Sequence, residues 1–193
     1  MPDRFDEAIA RVDAVHAEDP EHDAAGVPQE LAYARRMMAW LDRLAPQAPE
    51  PLKLAVRCQH IRRWAMPRGA FPEGKAGYHK WRAQQALAHA QLAGDILAQA
   101  GYDEQTVRRV QSLVRKQGLK TDPDAQLLED VSCVVFLEGV FAEFAKKHDE
   151  AKLVGILRKT WAKMSPAGHD AALALELPPA LRAIMQKALR ASA

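Results

Sequence analysis

Three side chains stand where the pattern around them calls for apolar ones. His60 follows Val56 by one helical turn in PLKLAVRCQH. His89 lies on the stripe Trp81, Gln85, His89, Leu92 and Ile96. Asp130 lies on the stripe Leu127, Asp130, Val131, Val134 and Leu137. Polar residues that break a periodic apolar face are where function is best sought. An ionised carboxylate on the inner face of a buried helix is costly unless it is paired, hydrogen-bonded or bound to a metal. Two readings are open for the three residues. In one, the histidines are hydrogen-bonded core residues and Asp130 meets an arginine or a helix N-terminus. In the other, His60, His89 and Asp130 are metal ligands, with Glu30 a weak fourth candidate. Imidazole nitrogen plus carboxylate oxygen is a donor set that zinc, manganese, iron and nickel accept. A metal held there would activate water and polarise a phosphoryl oxygen. Asp130 and Glu138, which lies two turns further along the same face, are the candidate catalytic carboxylates.

A second signal is the distribution of charge. Residues 57–82 carry seven bases (Arg57, Arg62, Arg63, Arg68, Lys75, Lys80 and Arg82) against one acid, Glu73, whereas residues 1–30 carry nine acids and two bases. A basic segment in a chain of net charge +2 points to a local anion site rather than to general nucleic-acid or membrane binding. Guanidinium forks suit phosphate and carboxylate, and Trp64, Tyr78 and Trp81 offer faces for stacking. A helix N-terminus near Tyr78 adds free N–H groups. Arg62, Arg63, Arg68, Tyr78, His79 and Arg82 are therefore the candidate anion-binding residues. The competing reading is a solvated basic face whose rings belong to the core. An RNA groove is less favoured, since the rest of the surface is mixed in sign.

The elements that must position these residues are all helical. No stretch alternates strictly between apolar and polar residues, and the helical period recurs throughout. Helices are expected over about 4–18, 28–44, 51–64, 78–100, 104–117, 123–147 and 149–164, with two short ones opening at Ser165-Pro166 and Pro178-Pro179. Asp103 is placed to cap the fifth of these. The centre of the sixth, VSCVVFL, is apolar nearly all round and reads as the central buried helix. Between the third and fourth, AMPRGAFPEGKAG is the most irregular stretch of the chain, and ordered loops of this kind often bear function. The expectation is one all-α domain of eight or nine helices over residues 1–193, with a core at about 28–147 and a C-terminal extension at 148–193. His16 and His22 read as surface residues.

The 193 residues are 48% hydrophobic and 27% charged, the composition of a globular chain able to bury a sizeable core. Low-complexity, collagen-like and disulfide-rich classes are excluded. Cys58 and Cys133 sit in apolar helical patterns without partners at metal-ligand spacing, so both are expected to be buried free thiols, as in a reducing cytoplasm. The acidic, amphipathic N-terminus is not expected to act as a signal peptide, and the longest apolar run falls far short of the roughly 20 residues that span a membrane.

Two resemblances follow from these segments. LKLAVRCQHI, HAQLAGDILAQAGYDEQTVRRV and DAQLLEDVSCVVFLE resemble the HD-domain superfamily of metal-dependent phosphohydrolases, with His60, His89 and Asp130 at its metal-ligand positions. That resemblance implies an HD-like core and metal-dependent hydrolysis of a small phosphate-containing molecule, a nucleotide first. The sequence departs from the pattern in three places: Ile61 stands where the pair has its aspartate, the early histidine has no equivalent near Glu30 or Tyr33, and Arg115 and Lys116 stand at the later histidine. The alternative implied is a catalytically inactive HD-like module that binds an anionic ligand or RNA through residues 57–82. Over nearly the whole chain, QHIRRWAMPRGAFPEGKAGYHKWR, LEDVSCVVFLE and LRKTWAKMSPAGH resemble an uncharacterised bacterial domain-of-unknown-function family, number forty-two-oh-two.

Overall fold

The computed structural model describes residues 3–190. Its secondary structure is helical, with ten α-helices among the described residues rather than eight or nine. By proximity of the backbone, the chain divides between Gly118 and Leu119 into two compact units.

The first unit holds α1 (Arg4–His16), α2 (Gln29–Leu44), α3 (Glu50–Arg57), α4 (Gly74–Gln99) and α5 (Glu104–Val114). α3 is the hub. It packs on α1, α2 and α5, and α4 packs on α1 and α5. Leu52, Leu54, Ala55 and Val56 are fully buried, so α3 is apolar on nearly every side. Met37 and Leu41 of α2 and Leu113 of α5, on helices that pack against it, are fully buried, as is Leu97 of α4. Arg57, at the end of α3, makes a two-pronged ion pair with Asp13 of α1, both N–O distances being 2.6 Å. Asp103 caps α5 as expected, accepting from the Thr106 N–H at 2.9 Å.

α3 ends seven residues earlier than its sequence pattern suggests, at Arg57 rather than 64. Beyond it His60 and Arg62 take left-handed backbone, φ 60° and 57°, and Arg63–Ala65 and Arg68–Ala70 form short 3-10 turns. The apolar spacing persists through the break because Ile61 still points into the core, 1% exposed. α4 in turn starts a full turn earlier than expected, at Gly74. This places Tyr78 and His79 in the second turn, away from the free N–H groups that were expected to lie near Tyr78.

The second unit holds α6 (Pro123–Val135), α7 (Phe141–Ala145), α8 (Glu150–Trp161), α9 (Pro166–Leu173) and α10 (Pro179–Arg190). α6 packs on α9, and α8 on α10. The single long helix expected over 123–147 is broken by a π-helical turn at Phe136–Val140. The turn adds a residue to the helical repeat, and it brings the rings of Phe136 and Phe141 to 5.9 Å. This break accounts for the extra helix. Cys58 and Cys133 are both buried, as expected, and neither forms a disulfide. Among the described residues, no helix is long and apolar enough to cross a membrane.

Candidate functional site

Four segments of the first unit bring titratable side chains together. α1 ends on His16, and α2 opens with Glu30 and Tyr33. The turn after α3 supplies His60 and Arg63, and α4 supplies His89 and Arg82. The His60 ring stacks on Tyr33, with centroids 4.5 Å apart and planes 12° from parallel. Its Nδ1 lies 3.5 Å from Glu30 Oε2, and its ring centroid lies 6.2 Å from that of His89.

The turn that presents His60 is strained and then clamped. A left-handed residue other than glycine costs roughly 1–2 kcal/mol, and two occur within three residues here. Side chains of α4 hold the backbone that follows them. Gln85 Nε2 donates to the carbonyls of Arg63 and Met66 at 3.1 and 2.9 Å, and Trp81 Nε1 donates to Met66 at 2.9 Å. Gln85 and Trp81 lie on the stripe of α4 that also carries His89, so one helix face fixes the turn and contributes to the cluster. Strain that the surroundings over-determine in this way is characteristic of functional sites.

Polar atoms inside the cluster lack partners. His89 is 7% exposed, and its Nε2 has no hydrogen bond. His16 is fully buried, a correction to its reading as a surface residue. Its Nε2 donates to the Arg57 carbonyl at 3.0 Å. In the neutral ring that leaves Nδ1 as a lone pair, and this atom is buried without a partner. Leaving a buried polar atom unpaired costs about 1–3 kcal/mol.

The electrostatics set guanidinium charge beside neutral imidazoles and one carboxyl that titrates near neutrality. Burial, followed by the charges of Arg63, Arg82 and Lys116, holds the His60 imidazole well below its usual range. Burial, followed by His60, Arg63 and Arg82, pushes His89 down to about 3. Burial likewise lowers His16. Burial pushes the Glu30 carboxyl up to about 7, against the pull of Arg63. At neutral pH the imidazoles are therefore uncharged, and the guanidinium groups dominate the field.

The other expected anion-binding residues fall into two groups. Arg68 is committed to its own loop, with its guanidinium donating to the carbonyls of Phe71 and Pro72 at 3.0 and 2.9 Å. Arg62, Tyr78, His79 and Arg82 are exposed. Tyr78 stands 5.8 Å from both the His79 and the Trp81 rings, and Arg63 lies over Trp81 with its guanidinium carbon 4.9 Å from the ring centroid.

Asp130 and Glu138 belong to the second unit. Asp130 is 3% exposed and receives three hydrogen bonds there. Oδ1 accepts from the Ser165 N–H at 2.8 Å and from Gln126 Nε2 at 3.1 Å, and Oδ2 accepts from the Ser165 hydroxyl at 2.6 Å. Ser165 is the N-cap of α9, its Oγ accepting from the Gly168 N–H at 3.2 Å. Of the two partner types open from the sequence, Asp130 thus meets a helix N-terminus. Glu138 falls in the π-helical turn and is exposed, off the buried face that carries Asp130. Among the described residues, no group of three or more His, Cys, Asp or Glu side chains is placed to hold a metal ion.

Sequence reasoning missed His16 and Tyr33. The signal for His16 was present, since it continues the stripe Phe5, Ile9, Val12. Tyr33 gave none, because its role depends on a turn that the helical pattern conceals.

Comparison with known families adds one result. Residues 6–185 match the family model described as Domain of unknown function (DUF4202). The chain belongs to that family. The match takes in all the helices of the first unit apart from the first residues of α1, so the His60 cluster lies within the DUF4202 region. No curated protein and no solved structure matches the chain.

Proposed function

We propose that this DUF4202 chain binds a small oxyanion, a phosphate group above all, at the cluster of His16, Glu30, His60 and His89. Arg63 and Arg82 supply the positive charge. The observation that carries the reading is the buried, unpartnered Nε2 of His89 within electrostatic reach of Arg63 and Arg82. A bound oxyanion would accept from that nitrogen and from the guanidinium groups. It would thereby satisfy atoms that otherwise weaken the fold. The Ile61 side chain, buried at 1% exposure, supports binding rather than metal-dependent hydrolysis. It occupies the position where an HD-like hydrolase would carry a ligating aspartate.

The test is calorimetric titration at about pH 7 with inorganic phosphate, pyrophosphate and a nucleoside monophosphate, with and without EDTA. Saturable binding of at least one, indifferent to EDTA and weakened about tenfold in Arg82→Ala, is the expected result. Absence of saturable binding for all three overturns the reading.

A further inference from the structure

Glu30 stands inside the cluster that would hold an anion, and an ionised carboxylate repels one. Its position is fixed. The Glu30 N–H donates to Asp19 Oδ2 at 2.9 Å, and Asp19 Oδ1 is taken by the Glu21 N–H at 3.0 Å. The first turn of α2 is thereby pinned, with the carboxyl 3.5 Å from His60 Nδ1 and 17% exposed. His16, Asp19, Arg36 and Arg63 also lie within electrostatic reach of it. Of its two neighbouring acceptors, Asp19 is occupied by backbone N–H groups, while His16 Nδ1 is a buried lone pair without a partner. The cluster thus offers acceptors as well as donors.

A fully deprotonated oxyanion brings only acceptors. Set against an ionised Glu30 it brings two negative groups together without a hydrogen bond to join them. An oxyanion that keeps a proton can donate it to the carboxylate while its other oxygens accept from His89 Nε2 and the guanidinium groups. We propose that Glu30 selects for a proton-bearing oxyanion, and that the ligand is free hydrogen phosphate rather than sulfate or the dianion of a phosphate monoester. This rests on the reading of the cluster as an anion site and adds to it the identity of the ion.

The experiment is a calorimetric comparison of three probes at about pH 8, with EDTA present: inorganic phosphate, methyl phosphate and sulfate. At that pH a monoester has lost its second proton, which leaves at about pH 6. Sulfate has none, and inorganic phosphate retains one. The wild-type protein is expected to bind inorganic phosphate at least about tenfold more tightly than either of the others, since a site built around a hydrogen bond rejects ligands that cannot make it. In Glu30→Gln, whose amide can donate to a bare dianion, the three affinities are expected to fall within about twofold. Equal affinities in the wild type overturn the selection but leave the anion site standing. Binding of none of the three overturns the anion site itself. Discrimination that persists in Glu30→Gln removes Glu30 as its cause. The wild-type comparison does not depend on how well the variant folds.

Discussion

Asp130 and His89 are both buried polar side chains on helix faces that should be apolar, and the protein treats them in opposite ways. The Asp130 carboxylate takes three hydrogen bonds from α9 and from its own helix, and its unit closes around it. His89 Nε2 takes none, and the nearby His16 Nδ1 takes none. A satisfied polar group specifies structure, since it locks one element onto another. An unsatisfied one weakens the fold unless something else completes it, which points to a ligand. Substitutions that separate these two roles test the contrast directly.

The largest effect is expected at Asp130. Asp130→Ala strips partners from the Ser165 N–H, the Ser165 hydroxyl and Gln126 together. With hydrogen bonds to a charged group each worth roughly 1.5–3 kcal/mol and not additive, urea denaturation should show a loss of about 3 kcal/mol. A loss below about 1 kcal/mol would mean that this network does not hold α9. Gly168→Ala attacks the same contact without touching a polar atom. A Cβ there would lie 2.6 Å from Asp130 Oδ1 and 2.7 Å from Asp130 Cγ. The carboxylate must shift, and the expected cost is about 2 kcal/mol, read as a lowered urea midpoint with unchanged slope. An Asp130→Ala, Gly168→Ala double variant should lose less than the sum, because both changes break one contact.

The same contrast explains what could be read from the sequence. The all-helical class, most caps and the buried cysteines follow from local patterns. Asp103, Asp122, Asp149 and Ser165 all accept from backbone N–H groups at the starts of α5, α6, α8 and α9. The irregular stretch at 65–77 lies next in sequence to His60 and Arg63 of the cluster. The turn at His60 was hidden, because a left-handed residue on either side of Ile61 keeps the apolar spacing of a helix while ending the helix. Asp130 was legible as an anomaly, but its hydrogen-bond partner was not, since Ser165 lies 35 residues away. His16 was legible from the stripe Phe5, Ile9 and Val12 that it continues, but a histidine at a helix end reads as exposed unless that stripe is followed to its last residue.

Protonation gives a smaller and finer test. His89 and His60 have depressed values in the folded state, so between their folded values and the usual 6.5 the unfolded chain binds more protons. Stability therefore rises with pH through that window and is lost on acidification. Glu30 works the other way. Its value is raised from 4.5 to about 7, so the folded chain binds the extra proton in that window and stability falls as pH rises. The two trends oppose each other between about pH 4.5 and 6.5. Glu30→Gln removes one of them, and its stability curve should climb more steeply through that range. One group titrating differently in the two states contributes at most about 1.4 kcal/mol per pH unit, so an added slope near 1 is expected. Denaturant midpoints at several pH values measure it. A variant whose slope matches the wild type would show that Glu30 is not desolvated by the cluster.

The smallest effect on stability is expected at His89, and it divides the two regions most sharply. Leucine has nearly the bulk of histidine and no polar atom to leave unpaired. In His89→Leu the buried Nε2 disappears, and with it a desolvation cost of about 1–3 kcal/mol. Imperfect packing of the new side chain gives back part of that gain, usually under about 1.5 kcal/mol. The folded state should therefore be unchanged or more stable by up to about 1 kcal/mol, where Asp130→Ala loses about three times as much. Binding of phosphate should move in the opposite direction, falling by about tenfold, because the nitrogen that would donate to the anion is gone. A variant that loses stability and keeps its phosphate affinity would place His89 with Asp130, as a structural group whose partner is a buried water. Gained stability with lost affinity is the pattern of a residue kept for what it binds, and it requires both measurements on the same preparation.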